Sequence, residues 1–115
     1  MEWAVGSMNP GAYPYPVGFD INIPYFNLDT GKFRLLMRFP AGEFGCPLHR
    51  HYAVTETFVL RGHQMVHRHA DADNWRVIRA AAAVQRETGA YDRSGGPKEL
   101  PHLEHGGTSG GLVLL

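Results

Sequence analysis

The stretch PLHRHYAVTETFVLRG, residues 47–62, carries more information than any other part of the chain. His49 and His51 are two residues apart, and in an extended strand side chains alternate with a period of two, so both imidazoles lie on one side and reach a common ion. Glu56 follows as a nearby carboxylate. Thr55 to Arg61 is rich in Thr, Val and Phe and reads as a strand. Gly62 reads as the turn of a hairpin, with Gln64 to His67 pairing back.

Upstream of this unit, Phe33, Leu35, Met37 and Phe39 alternate with Arg34, Leu36 and Arg38, a half-buried strand ended by Pro40-Ala41-Gly42. Asp29-Thr30-Gly31-Lys32 is a turn. Phe19 to Ile23 is a short strand stopped by Pro24. Residues 1–18 hold three prolines and four glycines or serines, and read as an irregular arm packing through Trp3, Tyr13 and Tyr15. Residues 19–115 then form one domain.

Leu48 to His51 is a strand in its own right. Downstream, residues 69–74 form a polar tip. In residues 75–85 (WRVIRAAAAVQ) four alanines favour helix by propensity, yet the barrel context favours strand, and strand is the reading adopted. Gly89-Ala90-Tyr91 resumes extended structure, Ser94-Gly95-Gly96-Pro97 is a turn, and Pro101 to His105 is short and extended. Leu112 to Leu115 forms the last strand. Many short strands parted by Gly/Pro turns predict an all-β sandwich or barrel. The sequence stops at Val113-Leu114-Leu115, inside what reads as a buried strand, so the expectation is a barrel lacking a C-terminal strand or an edge covered by a partner.

With 115 residues, the chain is sized for one core. Eleven basic residues balance eleven acidic ones, which leaves no basic field for nucleic acid or an anionic membrane. No stretch approaches the roughly 20 apolar residues that span a bilayer, and the N-terminus has no signal-peptide pattern. Cys46 is the only cysteine, so no internal disulfide forms and a cytoplasmic location is expected. In its apolar setting Cys46 reads as a small core residue.

All seven histidines fall between residues 49 and 105. Imidazole nitrogens commonly hold Fe, Zn, Ni and Cu. His49 and His51 supply two ligands, and His102, after the glycines at 95 and 96, is the best third. His105 is held in reserve, His67 and His69 complete or line the site, and His63 reads as polar surface. Phe33, Leu35, Met37, Phe58 and Leu60 are candidate pocket walls, with Tyr91, Arg68 and Glu104 placed to orient substrate.

The segments PAGEFGCPLHRHYAVTETFVLRG (residues 40–62) and GAYDRSGGPKELPHLEH (residues 89–105) resemble the two motifs of the cupin superfamily, over Thr30 to Leu115. The resemblance implies a small cupin-type β-barrel, a jelly-roll-like double-stranded β-helix. It is nearest to small single-domain cupins, the 2,4'-dihydroxyacetophenone and β-diketone-cleaving dioxygenases, and to the zinc-holding cupin domains of anti-sigma factors. It implies a divalent metal held by His49, His51, Glu56 and His102, with Fe(II) first and Zn, Ni or Mn as alternatives. The expected partners are a small oxygenated substrate, O2 and a second copy in a homodimer. The expected activity is C–C bond cleavage by a non-haem Fe(II) dioxygenase.

The alternative is a non-catalytic zinc-binding sensor or ligand-binding module. A metal-free structural cupin also stands, and a sugar-isomerising cupin is weaker because the inward-reading strands look apolar. One departure stands out: the family's glutamate usually lies seven residues before the closing glycine, where this chain has Thr55. Glu56 is one position later, on the opposite strand face unless a bulge returns it. Otherwise the centre has three histidines. Such an ion keeps its full charge and open positions for a chelating substrate.

Overall fold

A computed structural model describes residues 4–5, 18–49, 51, 53–68, 83–96 and 99–115, with the backbone alone at 4–5, 43–44 and 47–49. Expectations for Trp3, Tyr13, Tyr15, Arg50, His69 and the stretch 75–82 lie outside the described residues.

The described elements are nine strands: β1 (Ala4–Val5), β2 (Asp20–Phe26), β3 (Phe33–Phe39), β4 (Gly42–His49), β5 (Thr55–Arg68), β6 (Val84–Glu87), β7 (Tyr91–Ser94), β8 (His102–Gly107) and β9 (Gly111–Leu114). All pairings are antiparallel, in the order β1-β2-β3-β9-β5-β8-β4, with β6 and β7 also on β5.

The long strand β5 organises everything. Its first part lies between β7 and β9, with Val59 opposite Val113 and Glu56 opposite Arg93. Its second part lies between β6 and β8, with Gln64 opposite Arg86 and Val66 opposite Glu104. Gly62 sits where the two parts meet, at φ 63°. The hairpin expected at Gly62 is therefore a bend within one strand. A left-handed glycine serves a turn and a β-bulge equally well. Here the register slips between Val59 and Arg61. The His63 amide donates to the Gly110 carbonyl at 3.0 Å, and the chain passes from β7 and β9 to β6 and β8 without folding back.

Two further boundaries differ from the sequence reading. β2 runs through Pro24 to Phe26, because its pairing with β3 is irregular between Asn22 and Tyr25, where a proline does not break the ladder. β4 begins at Gly42, well before Leu48, and carries two register shifts against β8.

Met37, Phe39, Cys46 and Val113 form a buried cluster, flanked by Phe19, Ile21, Leu35 and Leu115. It joins β3 and β9 to β4 and so curls the sheet on itself. Val59 is buried opposite Val113. The inward residues of β5's first part are accordingly Thr57 and Val59, both buried. Phe58 and Leu60 have the other parity: the Phe58 ring meets that of Tyr91 at a 45° tilt with centroids 4.9 Å apart, and Leu60 is exposed. Of the expected walls, Met37 is core, Leu35 borders it, Phe33 shares their face but is exposed at the strand's start, and Phe58 and Leu60 lie on the other face. The sequence alternation in TETFVL does not itself say which parity faces in, since Thr and Leu occupy opposite sets.

Candidate functional site

The second part of β5 and all of β8 carry buried polar side chains where a core strand ordinarily carries apolar ones. Antiparallel partners share a sheet face, so the register sorts these groups into two sets. Cys46, Glu104, Val66, His102 and Arg68 share the inner face, continuous with the Cys46 cluster. His67, His105, Met65 and Leu103 share the opposite face.

His102 lies on the inner face, and the backbone of His49 is paired with it across β4 and β8. The register shift between Cys46 and His49 brings the two into alignment. His51, two residues on, lays its ring against that of His102, centroids 5.2 Å apart and planes at 88°. The two most separated parts of the expected site, one on each motif, are thus adjacent inside the curl. His102 is 2% exposed.

The loop after β7 fixes this arrangement. Gly95 and Gly96 have φ of 104° and 116°, a backbone only glycine adopts easily. A Cβ on Gly95 would run into the Ala53 carbonyl oxygen, so this turn docks against the segment that follows His51. The Gly96 amide donates to the His51 carbonyl at 2.9 Å, and the Glu99 amide donates to Gly96 at 3.2 Å. The Glu99 carboxylate then accepts the His51 amide at Oε2, 2.8 Å, and the Arg68 guanidinium at Oε1, 3.3 Å. Oε1 also lies 3.9 Å from His102 Nδ1. Glu99's side chain is only 5% exposed. Nothing in the sequence pattern singled out Glu99; its position three residues from a turn and three from His102 was the available signal.

Glu56 stands elsewhere. It is exposed, and the register from Thr55 to Phe58 is unbroken. No bulge turns it toward the inner face, which Thr57 occupies instead. The structure thus brings His51 and His102 together with His49's backbone, and leaves Glu56 on the outside.

Deeper along the inner face runs a polar chain. Gln64 Nε2 donates to Glu104 Oε2 at 2.7 Å, and Arg86 donates to Gln64 Oε1 at 3.0 Å and pairs with Asp92 at 3.0 Å. Burial pushes the Arg86 guanidinium below its ordinary value, against the opposing pull of Asp92, while Arg68 adds to the lowering. Burial likewise pushes the Cys46 thiol well up, aided by the charge of Glu104 and a hydrogen bond to it. Apart from the histidines, the inner face was expected to be apolar, and these four residues correct that expectation.

On the opposite face, His67 Nε2 and His105 Nε2 are 3.0 Å apart, and His105 Nδ1 accepts the Gly107 amide at 3.1 Å. The Gly107 bond leaves the His105 proton on Nε2, which donates to His67. The reserve ligand His105 and the candidate lining residue His67 thus bond one another on the face opposite His102. His63 bonds Ser109 at 2.5 Å and Glu87 at 2.7 Å.

By structure the chain is similar to KdgF from Halomonas sp., at 13% identity over 96% of this chain and 81% of that one, with a TM-score of 0.59. The fold is cupin-like. The cupin-type sheet is all-β, antiparallel and curled into a half-barrel. A second likeness, to protein NMB1881 from Neisseria meningitidis, covers 98% and 79% of the two chains at 15% identity and a TM-score of 0.48. No family model matches the sequence, and no curated protein matches it.

The donor set on the inner face of this cupin-type curl is imidazole nitrogen, which suits a divalent first-row ion. Among the described residues, no group of three or more His, Cys, Asp or Glu side chains stands in metal-holding geometry. His49's ring is not among them.

Proposed function

We propose that this chain is a metal-dependent cupin whose centre is built from His49, His51 and His102. The observation that supports this most is the meeting of the His51 and His102 rings, which come from distant parts of the chain. Three neutral imidazoles would leave a divalent ion with its full charge and with open positions, and so able to polarise a chelating oxygenated substrate. The specific reaction proposed is C–C cleavage of a small aromatic ketone or diketone-like substrate by O2, with Fe(II) as the ion. The protein's own part is to fix the ring orientations and to exclude water by the sheet packed around them.

Elemental analysis of protein purified without a histidine tag tests the metal. About one equivalent of ion is expected, lost in both His51→Ala and His102→Ala and retained in His63→Ala. Oxygen uptake by iron-loaded protein over a panel of β-diketones and hydroxyacetophenones tests the reaction. A tightly held ion with no uptake across the panel would favour the second reading, a zinc-held ligand-binding module. That reading draws support from Gln64, Arg86, Glu104 and Asp92, whose mutual bonds suit a rigid holding framework.

A further inference from the structure

The centre proposed above has no carboxylate from the first motif, since Glu56 is exposed on the outer face. A buried carboxylate nevertheless stands against the His51 backbone and beside the His102 ring. Glu99 reaches three separate segments at once: the His51 amide after β4, Arg68 at the end of β5, and the Nδ1 edge of His102 at the start of β8. An ordinary ion pair with Arg68 would occupy one oxygen and leave the side chain partly in water. Here the second oxygen is given to the backbone of a candidate ligand, and the carboxylate is almost wholly enclosed.

We infer that Glu99 is the positioning carboxylate of the histidine centre, clamping His51 through its amide and holding the Nδ1 edge of His102 so that Nε2 is presented to a divalent ion. The inference rests on the metal reading above. At 3.9 Å the Glu99–His102 approach is longer than a hydrogen bond. Its effect is electrostatic, and enclosure away from water strengthens it. A negative charge beside Nδ1 favours the proton there, which frees the Nε2 lone pair. Carboxylates that orient a ligating histidine in this way commonly govern metal affinity.

Glu99→Gln keeps the side chain's size and its acceptor for the His51 amide while removing the charge. In the metal-free protein, well above the ordinary imidazole value of ~6.5, nitrogen-15 NMR should show His102 as the Nδ1–H tautomer. Glu99→Gln should shift it toward Nε2–H. Calorimetric titration with Co(II) or Zn(II) should show affinity reduced by about 10–100-fold in Glu99→Gln, partly restored in Glu99→Asp and unchanged in Glu56→Gln. An unaltered His102 tautomer in Glu99→Gln overturns the assignment to Glu99 whatever the metal does. Loss of affinity in Glu56→Gln equal to that in Glu99→Gln overturns it as well. Wild-type protein that takes up no ion, with the tautomer change still present, overturns the metal reading and leaves the hold of Glu99 on His102 in place.

Discussion

The two parts of β5 lie in one strand yet live in different media. Thr55 to Gly62 runs beside β9, where Val59 and Val113 are enclosed near Met37 and Phe39. His63 to Arg68 runs beside β8, where Gln64, His67, His102, Glu104 and His105 are all buried. Burying polar groups costs free energy unless each finds a partner. The second part therefore holds a network that stability alone does not require. The first part is the apolar support, and the second carries the buried polar groups.

That contrast is broken most directly by cutting into the support. Phe39→Ala empties a nearly fully buried site beside Met37 and Val113 and should cost about 3–5 kcal/mol, read by urea denaturation. His51→Ala, at the half-buried position just after β4, should cost much less. A His51→Ala loss equal to that of Phe39→Ala would mean that the site itself carries the fold.

The joint between the two parts comes next. Gly62→Ala places a Cβ at φ 63° and against the Gly110 carbonyl oxygen. The left-handed backbone alone costs about 1–2 kcal/mol, and the clash adds to it, so a total near 3 kcal/mol is expected by the same measurement. Because the bend aligns β8 with β5, metal retention should fall together with stability. Stability lost with metal retention intact would show that the two parts are less tightly coupled than the shared strand implies.

This joint also shows what a sequence does and does not disclose. The strand from Phe33 to Phe39, the glycine turn at 95–96 and the approach of His51 to His102 follow from local alternation and motif spacing. The role of Gly62 did not, because a hairpin turn and an in-strand bulge ask the same conformation of the same residue. Glu56 was a candidate because it stands near the histidines in sequence, and strand parity sends it outside. Glu99 was overlooked for the converse reason: its contacts join residues 51, 68 and 102, and no local window contains them. Likewise the inward polar residues Gln64, Arg86 and Glu104 look like ordinary surface positions until the register is known.

Within the second part, the polar chain gives a smaller and more selective effect. Glu104→Gln removes the charge that Gln64 donates to at 2.7 Å. Hydrogen bonds to charged groups contribute somewhat more than neutral ones, so a cost of about 1–2 kcal/mol is expected. Metal content should be unchanged, since Glu104 reaches Gln64 and Cys46 but is not among the proposed ligands. A cost near zero would show that the chain does not stabilise the fold.

The smallest effect lies at Cys46, the one side chain that belongs to both media: it packs in the apolar cluster and meets Glu104. Its thiol is raised above the ordinary value of 9.0, first by burial and then by Glu104. A raised folded-state value means the folded chain holds the proton more tightly than the unfolded one. The resulting stabilisation is complete below about pH 9 and is lost as pH rises from there toward the folded value. Across one pH unit centred on the unfolded value, the loss should be somewhat under ~1 kcal/mol. The wild-type denaturation midpoint should therefore fall relative to that of Cys46→Ala as pH rises, because the variant lacks this term. Glu104→Gln should retain the onset near pH 9, which the unfolded chain sets, and lose less beyond it, since one of the two causes is gone and burial remains. Parallel curves for wild type and Cys46→Ala would place the thiol in a wetter setting than the cluster provides, and would move the boundary between the two media away from β4.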